Sequence, residues 1–160
     1  MNTNKKRKSN LKRILAIGFL LLSLIGTVSM GMGMSGIRLF VDIPSLILII
    51  LFTLPMLILA DLFEDFIRGY KIATGSFEYT LKELKASKNA MDLCIKLVYI
   101  SSVIGAIIGF VSFLRYIGDL SKVGPAIAVS ILTVFYAFII NLVQHAVSAK
   151  IKKEIIYREQ

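Results

Sequence analysis

The sequence predicts an all-α integral membrane protein with four transmembrane helices, short loops, a small helical cytoplasmic extension and both termini in the cytoplasm. Three observations predict it. Apolar residues make up 56% of the 160 residues and charged residues only 18%, where a soluble domain carries about a quarter charged. The stretches 14–37, 43–60, 97–114 and 123–149 contain no Asp, Glu, Lys or Arg. The basic residues, finally, alternate between crowded and sparse segments along the chain. A hydrocarbon core takes roughly 20 apolar residues per helix, with about 17 to 25 tolerated. The expected spans are therefore 11–36, 43–60, 96–115 and 123–149, in one domain over 1–160.

The charge pattern orients these spans. Lys5, Lys6, Arg7, Lys8, Lys12 and Arg13 precede the first, and Lys150, Lys152, Lys153 and Arg158 follow the last. Arg68, Lys71, Lys82, Lys85, Lys88 and Lys96 lie between the second and third, while the remaining loops hold only Arg38, or Arg115 and Lys122. Lys and Arg concentrate on cytoplasmic loops, so the termini and residues 61–96 are expected inside. The formal net charge of +9 then implies anionic membrane lipids as partners rather than nucleic acid. A cleaved signal peptide would also begin with basic residues and an apolar run. Residues 14–37 are long for one, and Gly31-Met-Gly-Met-Ser-Gly36 is a poor cleavage site, so a retained helix is expected.

Element by element, Gly31, Gly33 and Gly36 should loosen the outer end of the first helix. Asp42-Ile-Pro-Ser45 reads as the start of the second, with Asp42 a cap and Pro44 early enough that its missing N–H costs nothing. Pro55 is expected to bend that helix. Residues 61–96 read as two short amphipathic helices extending the membrane helices, broken near Thr74-Gly-Ser76; Phe63, Phe66, Ile67 and Tyr70 recur at helical spacing. The segment has no phosphate-binding glycine loop, paired histidines or nucleophile beside a base. Neither enzymatic activity nor a cofactor or metal is expected. The single cysteine, Cys94, excludes an internal disulfide and reads as a small residue where a helix enters the membrane.

The polar residues of the last two spans fall on stripes. Ser102, Gly105, Gly109 and Ser112 share a face of the third, and Gly105 with Gly109 forms the small-xxx-small spacing that lets helix backbones approach. This stripe suits close packing or a lumen. On the fourth, Ser130, Thr133, Ala137, Asn141, Gln144 and Ser148 form a second stripe, with Tyr136 one position aside. Amides in hydrocarbon need partners, so this face is expected against protein or a pore. His145 reads as interfacial or packed, and Asp119 as a solvated charge.

These residues resemble the MotA/TolQ/ExbB proton-channel family, in its short MotA-like form without the large cytoplasmic domain. Asp42-Ile-Pro-Ser-Leu-Ile-Leu-Ile49, with Thr53, is similar to the opening of the second MotA helix. Gly105-x-x-x-Gly109 followed by Val123-Gly-Pro-Ala-Ile-Ala-Val-Ser-Ile-Leu-Thr-Val-Phe-Tyr-Ala137 and Asn141 is similar to the last two. The likeness covers roughly residues 40–60 and 97–151. Leu51 and Phe52 replace the family's paired glycines, Tyr99 its third-helix proline, Ala106 a frequent threonine, and Val134 the second of paired threonines.

The resemblance implies a homo-pentamer around two MotB/ExbD/TolR-like single-span subunits, which carry the proton-accepting aspartate. It implies that Thr133 faces the partner helix, with Ser130, Tyr136, Ala137 and Asn141 on the ion pathway or partner contact, and that Ser102, Gly105, Gly109 and Ser112 serve close helix packing. The expected function is a ring-forming channel or stator-like subunit of a proton-driven, or sodium-driven, envelope complex in the bacterial cytoplasmic (inner) membrane. A non-conducting scaffold or assembly protein of the same descent is the alternative.

Overall fold

The computed structural model describes residues 15–16, 18–20, 22–27, 29–30, 40–75 and 79–160. The chain forms two compact units, Met1–Val41 and Asp42–Gln160. The first contains an apolar helix, α1 (Gly18–Thr27). Within it Ser23 and Thr27 donate to the carbonyls of Leu20 and Ser23, both at 2.8 Å, so their hydroxyls are satisfied by their own helix. The glycine-rich stretch after it and Arg38 lie outside the described residues, as does much of the expected span 11–36.

The second unit holds α2 (Ile43–Leu59), α3 (Phe63–Thr74), α4 (Leu81–Arg115) and α5 (Leu120–Glu159). Asp42 caps α2, accepting from the Ser45 amide at 3.2 Å, and Pro44 occupies the first turn. The helix continues through Pro55. The sharp change of direction comes later: α3 leaves α2 at 106°. Asp61 makes that corner with φ 54°, a left-handed conformation that Asp tolerates better than bulkier residues. The expectation that residues after 61 prolong the second span is therefore corrected. Gly75 ends α3, also left-handed at φ 75°, which places the break where Thr74-Gly75 suggested it.

After this break no separate amphipathic helix precedes the third span. Thr80 and Glu83 form a reciprocal capping box, and one helix then runs from Leu81 to Arg115. Neither glycine nor proline occurs between 81 and 104 to stop it. At 1.5 Å per residue α4, with 35 residues, is about 52 Å long and α5, with 40, about 60 Å. Both exceed the roughly 30 Å hydrocarbon thickness, and the surplus carries most of the charge. The two are long and apolar enough to cross a membrane, and the bent α2–α3 pair makes a third if taken as one span.

Two apolar clusters hold this unit together. Where α2, α4 and α5 meet, Ile49, Leu57, Cys94, Leu97, Val98 and Ala137 are buried. Towards the charged end, Ile72 of α3 joins Leu84, Met91, Ile95, Val147 and Ile151. Lys150 of α5 donates to the Ala73 carbonyl near the end of α3, tying those two helices at the second cluster. Outward faces are apolar: Val103, Ile107, Phe110 and Leu114 on α4, and Ile127, Ile131, Phe138 and Leu142 on α5, are all exposed. Such faces suit lipid or another apolar chain.

Candidate functional site: a polar seam between three helices

Within the apolar bundle, the hydroxyl and amide side chains of α2, α4 and α5 turn toward one another. On α2, Ser45, Ile49, Thr53 and Leu57 recur every four residues and are the buried face. Ser45 meets Thr133, whose Oγ1 lies 3.0 Å from Ser45 Oγ and 2.6 Å from the Val129 carbonyl. One hydroxyl proton serves these two acceptors. Ser45 in turn donates to the Asp42 carboxylate, and the Asp42 amide donates to the Tyr136 hydroxyl at 2.7 Å. Two turns along α2 from Ser45, Thr53 and Ser101 pair their hydroxyls at 3.2 Å.

The depth of this cluster follows from helix geometry. Val129 lies about 13 Å along α5 from Leu120, and Gly105, which faces Thr133, about 15 Å along α4 from Arg115, at 1.5 Å per residue. The start of α2 is thus set back along the bundle from the Arg115 and Leu120 ends of its two neighbours. A carboxylate consequently sits beside the charge-free stretch of α5. Asp42, read in the sequence as the cap of α2, caps it here and also stands beside α5, its amide on Tyr136.

The two glycines make this approach possible. A Cβ at Gly105 would stand 2.5 Å from Thr133 Cγ2 and 3.1 Å from Leu48, and one at Gly109 would stand 2.7 Å from the Ser130 amide nitrogen and 3.0 Å from the Ala126 carbonyl. Both glycines therefore face α5 of their own chain. Ser130 donates to the Ala106 carbonyl at 3.1 Å, clamping the same crossing. Ser102 is buried and bonds back to Tyr99 O at 2.8 Å. Ser112, half-exposed, bonds back to Ile108 O.

Toward the charged end the seam continues with amides. Asn141 donates to the Ile95 carbonyl at 3.2 Å and Gln144 to Cys94 Sγ at 3.3 Å. Ser148 donates to Asp92 at 2.8 Å, and Lys88 pairs with the same carboxylate. Burial raises the Asp92 pKa, but the bonds from Lys88 and Ser148 and the charges of Lys88 and Lys96 outweigh it, and the net shift is downward. Between the two polar halves lies the apolar layer of Val98, Leu97, Ile49 and Ala137.

Of the residues singled out in sequence, Thr133 and Ala137 are 0% exposed and Asn141 1%, all within the single chain; Tyr136 and Ser130 are half-buried. His145 points outward. The Asp119 carboxylate meets solvent, as expected, and in addition caps α5 through Ser121 and pairs with Lys122 at 3.0 Å, which together lower its pKa. Sequence reading missed the pairing roles of Ser45 and Asp92. The four-residue recurrence of Ser45, Ile49, Thr53 and Leu57 was the available signal for the former; for Asp92 the four-residue spacing from Lys88 signalled that ion pair, while its bond from Ser148, 56 positions away, had no local signal. Among the described residues no group of His, Cys, Asp and Glu is placed to hold a metal ion. No family model, curated protein or solved structure matches the chain.

Proposed function

We propose that the chain is the ring-forming, channel or stator-like subunit of a proton-driven envelope complex in a bacterial cytoplasmic membrane. In this reading four helices cross the bilayer, the termini and residues 61–96 are cytoplasmic, and a pentamer surrounds two single-span subunits bearing an aspartate. The observation that carries it is the meeting of the two segments on which the MotA-like resemblance rests. Asp42 and Ser45 of one bond to Tyr136 and Thr133 of the other, across 94 and 88 positions of sequence. A seam of fixed hydroxyls beside one carboxylate is chemistry suited to a protonic or sodium path. The driving acid itself comes from the partner helix, and lipid covers the remaining apolar faces.

The burial of Thr133 favours a second reading, a non-conducting scaffold that keeps the helix packing alone. Its hydroxyl is consumed inside the chain, leaving no polar surface for a neighbour. Purification in mild detergent, with subunits identified and counted by native mass spectrometry, tests both. Several copies holding a single-span, aspartate-bearing subunit is the expected result. A homo-oligomer without that subunit selects the scaffold, and a monomer alone overturns both.

A further inference from the structure

Two buried acceptors on α5 have no donor. Asn141 Oδ1 and Gln144 Oε1 receive no hydrogen bond, although their side chains are only 1% and 3% exposed. Each amide has spent its NH₂ end on α4, on the Ile95 carbonyl and the Cys94 sulfur. Turning either amide over does not help, because the end left behind is then the one without a partner. The two lie three positions apart on α5, hence on one face, and reach adjacent residues of α4. Their free oxygens thus occupy one stretch of the same interface. A buried carbonyl oxygen without a donor costs about 1–3 kcal/mol.

We propose that a bound water bridges these two oxygens, donating one hydrogen to each. A water needs two to four polar partners in a buried site, and two unpartnered acceptors three residues apart on one helix face supply the minimum. A desolvated sodium or potassium ion would want several more oxygens than the pair supplies, and the helix carbonyls nearby are already engaged. The route in is the charged end of the seam. Asp92, whose side chain is 43% exposed, accepts from Ser148, which lies one turn from Gln144. Water therefore reaches inward along Asp92, Ser148, Gln144 and Asn141, and stops at the apolar layer of Val98 and Ala137. This inference stands independently of whether the chain forms a ring.

Cys94 is a built-in reporter, being the only cysteine and in contact with Gln144. Full-length protein in lipid nanodiscs is transferred to D₂O and the S–D stretch of Cys94 is followed by infrared spectroscopy. Growth of that band within minutes is expected, and an S–H group that persists for hours overturns the proposal. In the double variant Asn141→Leu, Gln144→Met the acceptors are gone while the volume is kept, and exchange should slow about tenfold or more; an unchanged rate also overturns it. Should the variant not insert, the wild-type rate decides alone. A wild-type band that shifts when sodium chloride replaces choline chloride would put a cation in the site and reject water.

Discussion

Thr133 and Asp92 stand at opposite ends of the seam, and each makes a prediction of its own. Thr133→Val keeps the shape that fills the space against Gly105 but removes the hydroxyl. Ser45 retains Asp42 and Val129 as partners, so thermal unfolding in detergent should show a loss of about 1 kcal/mol. If the hydroxyl serves ion flow, this variant also loses ion-driven work in a reconstituted complex while insertion and assembly persist. Retained work in Thr133→Val would restrict the residue to packing. For Asp92 the folded pKa lies below the ordinary 3.8, so its ionised form stabilises the fold above the unfolded value. That stability is lost as pH falls through the folded value, in a window below about pH 4. Asp92→Asn, which still accepts from Ser148, should be less stable than wild type at pH 7, with the gap shrinking as pH falls below about 4; a gap between their melting temperatures that stays constant with pH would sink this assignment.

At the scale of helices, the α4–α5 crossing is the most constrained contact. A Cβ at position 109 meets the backbone of Ser130 and Ala126, which cannot swing aside as a side chain can. Gly109→Ala should therefore force the helices apart at a cost of about 1–3 kcal/mol. Because the contact lies within one chain, native mass spectrometry should find the oligomer unchanged while the melting temperature falls. A changed oligomer with unaltered stability would mean that this glycine faces another subunit. Helix ends were unevenly legible. Gly75 and the Thr80/Glu83 pair announce themselves by chemistry, and the absence of Gly and Pro between residues 81 and 104 foretells a helix that runs on into the third apolar stretch. The corner at Asp61 is hidden, since Ala60-Asp61-Leu62 carries no breaker, and only the packing of α3 on α4 and α5 fixes it.

At the scale of the molecule, most of the surface of α4 and α5 is apolar and points outward. Only 33% and 28% of their membrane-crossing windows are buried within the chain, so lipid or further subunits must cover the rest. The proposed complex and the lipid bilayer both satisfy that requirement, and the detergent purification separates them by counting chains. Expected stripes on the last two spans were legible because helical period needs no partner to be seen. Their destination was not: a stripe of Ser, Thr, Asn and Gln is the same whether it faces a lumen or a neighbouring helix. Here it faces α2 and α4.

The sequence alone determined long apolar helices, the charge-free stretches, the cap at Asp42, and a face of small residues at Gly105 and Gly109. These follow from local composition and period, which act over a few residues. Only the tertiary structure decided that α3 turns back at 106°, that Thr133 is sealed against Ser45, and that Asp42 lies against Tyr136 of α5. Each depends on how far one helix slides along another. That register is set by complementary shape and by hydrogen bonds between residues some 90 positions apart, and no local pattern encodes it.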